Sequence, residues 1–324
     1  MPEWSEQLER QLASALARCA PQVRFDGRDA GALWLWQAKR KAALNEALGL
    51  DVPTVYGPPK ATLVKGQEKA VDQFQVWSVE TEPGVALQVH MRAVAALAGR
   101  PGAIVINLAD RFDPAEHETF CGRINAMGLT AVSLTPRGLH DNSVWSLAAA
   151  YLGLGQSYAG VAVSDLLRVV DHIESLLEVE SEPLIVLGSG WLVPVVLAFA
   201  ALDQRITGLV IGFGDGETLG GPTDRPPLFM NAYMHLGPNP VLTLAQCVVP
   251  KPMLLSNFPE RSVGWLTNGK SGVLAPTEQL KQLTETYHVA GHPDRLELTG
   301  TAAGPDERLE QLRHFLEDHF TTID

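Results

Sequence analysis

A serine follows an apolar run in the middle of the chain, where its hydroxyl could act as a nucleophile. The run PLIVLG (183–188) leads directly into Ser189, Gly190 and Trp191. A serine on a tight strand-to-helix turn attacks acyl carbonyls when a histidine takes its proton and a carboxylate orients that histidine. The pattern of such a turn is Gly-x-Ser-x-Gly, and centring it on Ser189 places Leu187 and Trp191 at positions that are normally small. Ser189 is therefore a candidate nucleophile in an atypical setting.

A second segment, GQSYA (155–159), imitates the same pattern around Ser157. It follows the helical stretch SLAAAYLGLG instead of a strand, so the strand-to-helix context of a nucleophile is missing.

Four polar residues near position 110 are the nearest approach to a cation site. Asp110, Asp113, Glu116 and His117 fit no metal template by their spacing. Acidic residues favour the first turn of a helix, so we expect a solvated helix start here. Three widely spaced cysteines exclude a disulfide framework and a Cys-x-x-Cys metal site. We interpret Cys121 as a buried side chain that fills space in the core. The sequence predicts no cofactor and no metal.

Short apolar runs rich in β-branched residues alternate with helical stretches over most of the chain. The predicted strands are 74–80, 85–94, 102–108, 129–134, 183–188, 206–213, 251–257 and 295–300. The predicted helices between and after them are 115–127, 160–177, 192–202, 276–288 and 305–320. Apolar strands separated by helices are typical of a parallel sheet covered on both faces. The pattern predicts a three-layer α/β sandwich with a mostly parallel sheet of about eight strands, which begins with an antiparallel hairpin.

The region before this sheet has a different character. Leu8, Leu12 and Leu16 recur at helical spacing, the pattern resumes from Leu33 to Leu48, and Gly49 is a plausible helix stop. We interpret the poorly periodic stretch 51–71 as a loop or linker. The predicted division is a helical extension and linker over 1–70 and an α/β domain over 71–324.

Composition restricts the partners. The 324 residues carry a formal net charge of −12, which argues against a nucleic-acid phosphate footprint and against an anionic membrane surface. No apolar run reaches about 18 residues, the length that spans a membrane, and the N-terminus lacks the basic start and apolar core of a signal peptide. We expect a cytoplasmic protein, although the chain could be part of a longer one.

Several segments carry a resemblance to a known family. They are TAVSLTPRGLHDN (130–142), LGLGQSYAGVAVSDLLRVVDHIES (152–175), IVLGSGWLVPVVLAFAALDQRITGLVI (185–211), LAQCVVPKPMLLSN (244–257) and GHPDRLEL (291–298). In order and spacing, residues 74–320 resemble the acetyl-xylan-esterase and dienelactone-hydrolase-like branch of the α/β-hydrolases. The resemblance implies the α/β-hydrolase three-layer sandwich, with the helical N-terminus similar to the cap-forming extension of such esterases. It also assigns Arg137 in TPRG to a turn that it braces, and it implies that Ser157 belongs to a structural helix start.

The resemblance also marks the catalytic positions, and this sequence departs from the family at each. Aligning the turn on its flanking glycine and proline puts Gly190 at the nucleophile position. The family's acid follows the seventh strand in Asn-Gly-x-x-Asp, where this chain has NFPER (257–261), so Glu260 is the candidate acid. The loop after the last strand, 299–306, carries no histidine.

Ligand-binding candidates surround this expected site. In place of a His-Gly or Gly-Gly donor loop, the chain has NLAD (107–110), with Asn107 and Asp110 as its polar groups. Aromatic residues in the segments bordering the strand ends could line a cleft or a sugar platform, and the alternative is that they fill the vacated site. The predicted ligand contacts are Asn107, Trp145, Trp191 and Trp265.

Three functional hypotheses follow. The first is a relative with a lost Ser-His-Asp triad that binds or scaffolds, with a small-molecule or carbohydrate ester ligand, a protein partner or a second copy. The second is an active carboxylester hydrolase that uses Ser189 and a displaced Glu260. The third is an enzyme that uses the same cleft for other chemistry through Asn107 and Asp110.

Overall fold

A computed structural model describes residues 25, 27–50, 59–67, 72–94, 102–139, 144–177, 182–212, 240–256, 276–299 and 305–320. The strands are β1 (Lys60–Lys65), β2 (Phe74–Glu82), β3 (Val85–Arg92), β4 (Ile104–Leu108), β5 (Thr130–Leu134), β6 (Leu184–Ser189), β7 (Ile206–Gly212), β8 (Met253–Ser256) and β9 (Leu296–Thr299). The helices are α1 (Ala30–Leu48), α2 (Pro114–Asn125), α3 (Val144–Gly153), α4 (Tyr158–Leu177), α5 (Val193–Leu202), α6 (Pro240–Val248), α7 (Pro276–Val289) and α8 (Pro305–Phe320).

These strands form one mixed sheet. Its order is β1-β2-β3-β5-β4-β6-β7-β8-β9. The β1–β2, β2–β3 and β3–β5 pairs are antiparallel, and every pair from β5–β4 to β8–β9 is parallel. The carboxyl ends of β4, β5, β6, β7 and β8 therefore meet along one edge, which is where ligand sites form in open α/β sheets.

Helices cover both faces of the sheet. On one face α2 and α8 pack against inward-pointing residues such as Val105, Ala131 and Ile185. On the other face α1, α4, α5, α6 and α7 enclose the larger core around Ile104, Ile106 and Val186. The alternation of these residues along β4 and β6 is the two-residue period of a strand buried on both sides. The predicted three-layer α/β class is confirmed.

Two parts of the sequence prediction were wrong. The stretch 51–71 contains the strand Lys60–Lys65, which pairs with β2 and raises the predicted eight strands to nine. This edge strand buries only Ala61 and Leu63 partly, so its pattern lacks the apolar run of an inner strand. The helix Pro240–Val248, which is buried on nearly every side, was not predicted either.

The helix α1 is attached to the sheet-covering helices by specific contacts. Gly49 ends it with φ +73°, and its N–H bonds the carbonyls of Asn45 and Glu46, as the sequence predicts. The side-chain amide of Gln37 donates to the carbonyl oxygens of Gln246 and Val249 at 2.8 and 2.7 Å. The predicted helix around Leu8, Leu12 and Leu16 lies outside the described residues, and the predicted boundary at residue 70 stays a prediction.

Candidate functional site

The turn between β6 and α5 contains the two residues that compete for the nucleophile position. Ser189 is the last residue of β6 and has an extended backbone, with φ −134° and ψ 167°. Gly190 follows with φ +56°, and a short 3₁₀ turn over Gly190–Leu192 leads into α5. A left-handed backbone at a strand-to-helix turn is the strained conformation typical of a nucleophile elbow. The residue with that conformation is Gly190, and Ser189 precedes it.

Close packing fixes this turn from the strand side. A Cβ atom on Gly188 would lie 2.4 Å from Cγ2 of Val196 in α5, so only glycine fits where β6 passes under the helix. On the neighbouring strand, a Cβ atom on Gly212 would lie 3.2 Å from Cβ of Ser189. Strand and helix therefore approach as closely as an elbow requires.

Ser189 is exposed at the carboxyl edge of the sheet. Within the described ranges it makes no hydrogen bond to a histidine. Besides the buried His90 and His117, the described histidines are His172, His288, His292, His314 and His319. His292 precedes β9, at the opposite edge of the sheet, and His319 bonds Glu297 at 2.7 Å. An oriented base for Ser189 is thus missing from the part of the chain that the structure describes.

A buried polar cluster lies nearby, at the ends of β4 and β5. The Asn107 side-chain amide donates to the Ser133 hydroxyl oxygen at 3.1 Å. Ser133 Oγ lies 2.7 Å from Nδ1 of His117, and Thr135 Oγ1 lies 3.1 Å from the Nε2 atom of the same ring. The Thr135 hydroxyl itself donates to the carbonyl oxygen of Arg111 at 3.0 Å. The predicted ligand contact Asn107 is therefore bonded within the protein.

The hydrogen-bond pattern of this cluster assigns its protons. Because the hydroxyl hydrogen of Thr135 is used on Arg111, its oxygen accepts from Nε2–H of His117. Nδ1 of His117 is then an acceptor, and the Ser133 hydroxyl donates to it. A serine that donates to a histidine is the contact of a nucleophile with its base. Here Ser133 has 0% exposed surface, so no substrate reaches its oxygen.

His117 stacks on a second buried histidine. The rings of His90 and His117 lie 4.3 Å apart between centroids and are nearly parallel, with an interplanar angle of 10°. Neither nitrogen of His90 has a hydrogen-bond partner among the described residues, and the side chain is 2% exposed. Burial, with smaller contributions from His117 and Lys65, lowers the pKa of His90 to about 4. Burial also lowers the pKa of His117, so both rings are neutral at pH 7.

This pair corrects the sequence interpretation of α2. Asp113 does cap the helix, accepting from the N–H groups of Ala115 and Glu116 at 2.9 and 3.4 Å. His117, however, belongs to the core, and the expected solvated helix start ends before it. The sequence carried no local signal for this, because the partners of His117 come from β3 and β5. Cys121, one turn later, is buried as predicted.

Arg137 braces the loop after β5, as the resemblance implies. Its guanidinium makes a bidentate contact with Asp165, in which Nε lies 2.7 Å from Oδ2. It also donates to the hydroxyls of Tyr151 at 2.7 Å and Thr81 at 3.1 Å. The interpretation of Ser157 as a helix start is also confirmed, since its hydroxyl accepts from the N–H of Gly160 at 3.3 Å beside the first turn of α4.

The other predicted site residues are only partly described. Trp145 lies in α3 and Trp191 in the turn after β6, and the structure describes the backbone of both but not their side chains. Glu260 and Trp265 lie outside the described residues. Where His, Cys, Asp and Glu side chains are described, no three of them gather to hold a metal ion. None of the described helices is long and apolar enough to cross a membrane.

A small apolar cavity lies beside the first turns of α5. Its volume is about 30 Å³, and its lining includes Val193, Leu197, Ile211, Leu255 and Leu283. Small-molecule sites usually measure about 300–1,000 Å³ and carry a few polar groups. This cavity is therefore a packing defect of the core between α5, α6 and α7.

Comparisons with known proteins address the fold. No protein-family model and no curated protein matches the sequence. A structure from Bacteroides fragilis assigned as an acetyl xylan esterase superposes with a TM-score of 0.65 at 14% identity, covering 91% of this chain and 83% of that chain. A methylesterase gives a TM-score of 0.62 at 15% identity, over 97% of this chain and 68% of that chain. The chain has an esterase-like α/β-hydrolase fold.

A third structure extends the same finding. The glucuronoyl esterase from Solibacter usitatus superposes with a TM-score of 0.57 at 12% identity, covering 90% of this chain and 94% of that chain. At these identities the likeness concerns the α/β-hydrolase fold alone. In α/β-hydrolases the nucleophile lies on a turn from a strand into a helix, and the turn at Ser189 and Gly190 is of that type.

Proposed function

We propose that this α/β-hydrolase-fold protein has lost the Ser-His-Asp triad and acts as a binding or scaffolding module. One observation carries the proposal, namely that the left-handed residue of the elbow is Gly190, which has no side chain to attack an acyl carbon. An elbow presents its nucleophile from that strained position, close to the oxyanion-binding amides. Ser189, in an extended backbone one residue earlier, starts from a different place and direction.

The surroundings of Ser189 support the same proposal. A serine hydroxyl is a weak nucleophile at neutral pH unless a base accepts its proton. The serine–histidine contact that the structure describes is between Ser133 and His117, inside the core, and the tautomer of His117 is already fixed by Thr135. Removing nucleophile and base from a serine hydrolase costs on the order of 10⁶ in kcat.

Active-site labelling tests the proposal. The purified full chain would be treated with a fluorophosphonate and examined by intact mass and peptide mapping, beside an active serine esterase of the same fold. We expect no adduct on this protein while the esterase labels stoichiometrically. The matched variants are Ser189→Ala for the exposed serine and Ser133→Ala for the buried one. A stoichiometric adduct that disappears only in Ser189→Ala would overturn the proposal.

That outcome would establish the second candidate, a carboxylester hydrolase that uses Ser189. The observation in its favour is that Ser189 is exposed at the carboxyl edge of the sheet, at the mouth where α/β sites form. It requires a base and an acid from outside the described residues, with Glu260 as the acid that the resemblance implies.

For the binding role we propose a carbohydrate ester as the ligand class, because the structural neighbours include an acetyl xylan esterase and a glucuronoyl esterase. A ligand that binds only the folded state raises stability by RT ln(1 + [L]/Kd), about 2.7 kcal/mol at 100 times Kd. Acetylated xylo-oligosaccharides and glucuronoyl methyl esters would be titrated in a thermal melt, with the deacetylated sugars and free acids as controls. A saturable rise in Tm with the esters supports the ligand class, and no rise up to 10 mM refutes it.

A further inference from the structure

Asn107 uses only one end of its side-chain amide inside the protein. Its Nδ2 donates to Ser133 Oγ at 3.1 Å, and among the described residues its Oδ1 makes no hydrogen bond. Asn107 is the penultimate residue of β4 and is half-buried, whereas Ser133 has no exposed surface. The nitrogen end of the amide is therefore held in the core, and the oxygen end remains at the carboxyl edge of the sheet.

Asn107 shares this edge with Ser189. In β4, Val105 points into the core under α2 and α8, and Asn107, two residues later, lies on the same face of the sheet. In β6, Ile185 points into that core, so Ser189, four residues later, also lies on that face. Asn107 pairs with Leu187, which places the Cα atoms of Asn107 and Ser189 on neighbouring strands about 8 Å apart. A ligand of the size of one sugar ring can contact both side chains.

We propose that Asn107 binds a ligand at this edge through Oδ1, as the acceptor for a hydroxyl or N–H group, and that His117 is the positioning residue that fixes this orientation through Ser133. The proposal rests on the part of the proposed function that places a ligand at the carboxyl edge. It adds the polarity of one contact, because the ligand group that meets Asn107 must donate. A carbohydrate ester would therefore turn a ring hydroxyl to Asn107, since its acyl carbonyl can only accept.

A chain of hydrogen bonds that starts at the backbone determines which end of the amide faces Ser133. The carbonyl oxygen of Arg111 can only accept, so the hydroxyl hydrogen of Thr135 is used on it and Nε2 of His117 carries the ring proton. Nδ1 then accepts from Ser133, and because that hydroxyl has no second hydrogen, Ser133 Oγ must accept from Asn107. Only the nitrogen end of an amide donates, so Oδ1 points the other way.

The ring of His117 is the point at which this chain can be reversed. It is held by the stack on His90, and burial lowers its pKa, so it carries one proton at neutral pH. A neutral imidazole has one donor and one acceptor nitrogen, and moving the proton from Nε2 to Nδ1 reverses each later bond. Ser133 would then accept from Nδ1 and donate to Oδ1 of Asn107. The amide would present its nitrogen at the edge, which would suit a ligand group that accepts.

Substitution of Thr135 tests the chain of hydrogen bonds. Thr135→Val keeps the shape of the side chain but removes the hydroxyl that accepts from Nε2–H, and Thr135→Ser, which keeps the hydroxyl, is the matched control. In the full chain, isotope-labelled at the histidine and asparagine nitrogens, NMR shows which ring nitrogen of His117 carries the proton. We expect the proton on Nε2 in wild type and Thr135→Ser, and on Nδ1 in Thr135→Val, because a buried N–H needs an acceptor. A proton on Nδ1 in wild type, or on Nε2 in Thr135→Val, would overturn the proposal.

Titration with acetylated xylobiose tests the ligand contact. We expect this probe to shift the NMR signal of the Asn107 side-chain amide, which is assigned by its loss in Asn107→Ala. Asn107→Ala and Thr135→Val are each expected to weaken binding of the probe about tenfold, which is about 1.4 kcal/mol. Thr135→Ser should weaken it less than about twofold, and equal affinities of the two Thr135 variants would contradict the positioning role.

The outcomes separate this proposal from the proposed function. A rise in Tm with the probe but no shift of the Asn107 signal would overturn the contact and leave the binding role intact, and no response in either would overturn both. A fluorophosphonate adduct on Ser189 would overturn the loss of catalysis alone, since a catalytic Ser189 would have the same acceptor beside it. The tautomer of His117 in wild type and the affinity of Asn107→Ala decide the proposal even where Thr135→Val does not fold.

Discussion

The buried His90 gives the most direct test of the electrostatics of this fold. It is 2% exposed, both its ring nitrogens lack partners among the described residues, and it stacks on His117 at 4.3 Å. Replacing it with phenylalanine keeps an aromatic ring in the stack and removes no hydrogen bond. We expect the free energy of unfolding of His90→Phe to fall less than that of the wild type as the pH drops below 6.5.

The magnitude follows from proton linkage. The pKa of His90 is about 4 in the folded protein against an ordinary 6.5. Between these values the unfolded chain binds more protons, so stability is fully present above pH 6.5 and falls as the pH falls towards 4. Each pH unit is worth about 1.4 kcal/mol, so protonation of His90 lowers the free energy of unfolding by about 2 kcal/mol between pH 7.5 and 5.0. The full loss, reached at a pH below both pKa values, is about 3 kcal/mol.

The measurement is urea unfolding of wild type and variant at pH 7.5 and pH 5.0. The readout is the change in the free energy of unfolding between the two pH values, because any packing cost of the larger phenylalanine ring is common to both and cancels. His314→Phe is the matched control, since that side chain is 65% exposed. The remaining slope includes the contributions of His117 and His172, whose pKa values burial also lowers. If His90→Phe and wild type lose the same stability on acidification, the assignment of a buried neutral His90 is wrong.

Two further predictions concern packing and ion pairing. In Gly160→Ala the new Cβ would lie 1.8 Å from the carbonyl oxygen of the last residue of α1, so the two helices must move apart. We expect the free energy of unfolding in urea to fall by about 3 kcal/mol. In the control Gly153→Ala the new Cβ meets nothing within 4 Å, and we expect a change of less than about 1 kcal/mol. Arg137→Lys keeps the charge but loses the bidentate contact with the buried Asp165, and we expect Tm to fall with a loss of about 1–3 kcal/mol in the free energy of unfolding. The exposed Arg313→Lys should leave Tm unchanged, and equal effects of the two substitutions would contradict the buried contact.

The parts of the fold that could be predicted are those with local signals. The inner strands are apolar runs of β-branched residues, and the end of α1 is marked by Gly49, which alone tolerates its φ of +73° without strain. Two elements were not predicted. The edge strand Lys60–Lys65 is half solvated, and the helix Pro240–Val248 is buried almost all round. Their assignment depends on neighbours that are distant in sequence.

The polar cluster at β4 and β5 was not predicted for a related reason. From the sequence, Asn107 was predicted as a ligand contact and His117 as part of a solvated helix start, because the acids before His117 are typical of an exposed helix start. What buries His117 is the combination of His90 on β3 with Ser133 and Thr135 around β5. Those residues are up to 45 positions apart in sequence and come together only when the sheet forms.

The turn from β6 to α5 has the backbone geometry of a nucleophile elbow without a nucleophile at its left-handed residue. The positive φ at Gly190 and the close passage of Gly188 under Val196 are requirements of the crossing from β6 to α5, and both are met without a nucleophile. A serine at φ +56° would carry a backbone strain of about 1–3 kcal/mol, which a catalytic elbow tolerates because its side chain is needed there. Glycine adopts the same backbone without that strain. Under the proposed function, the turn therefore keeps the shape that the fold demands and gives up the strain that catalysis demanded, as expected when stability and activity compete at one residue.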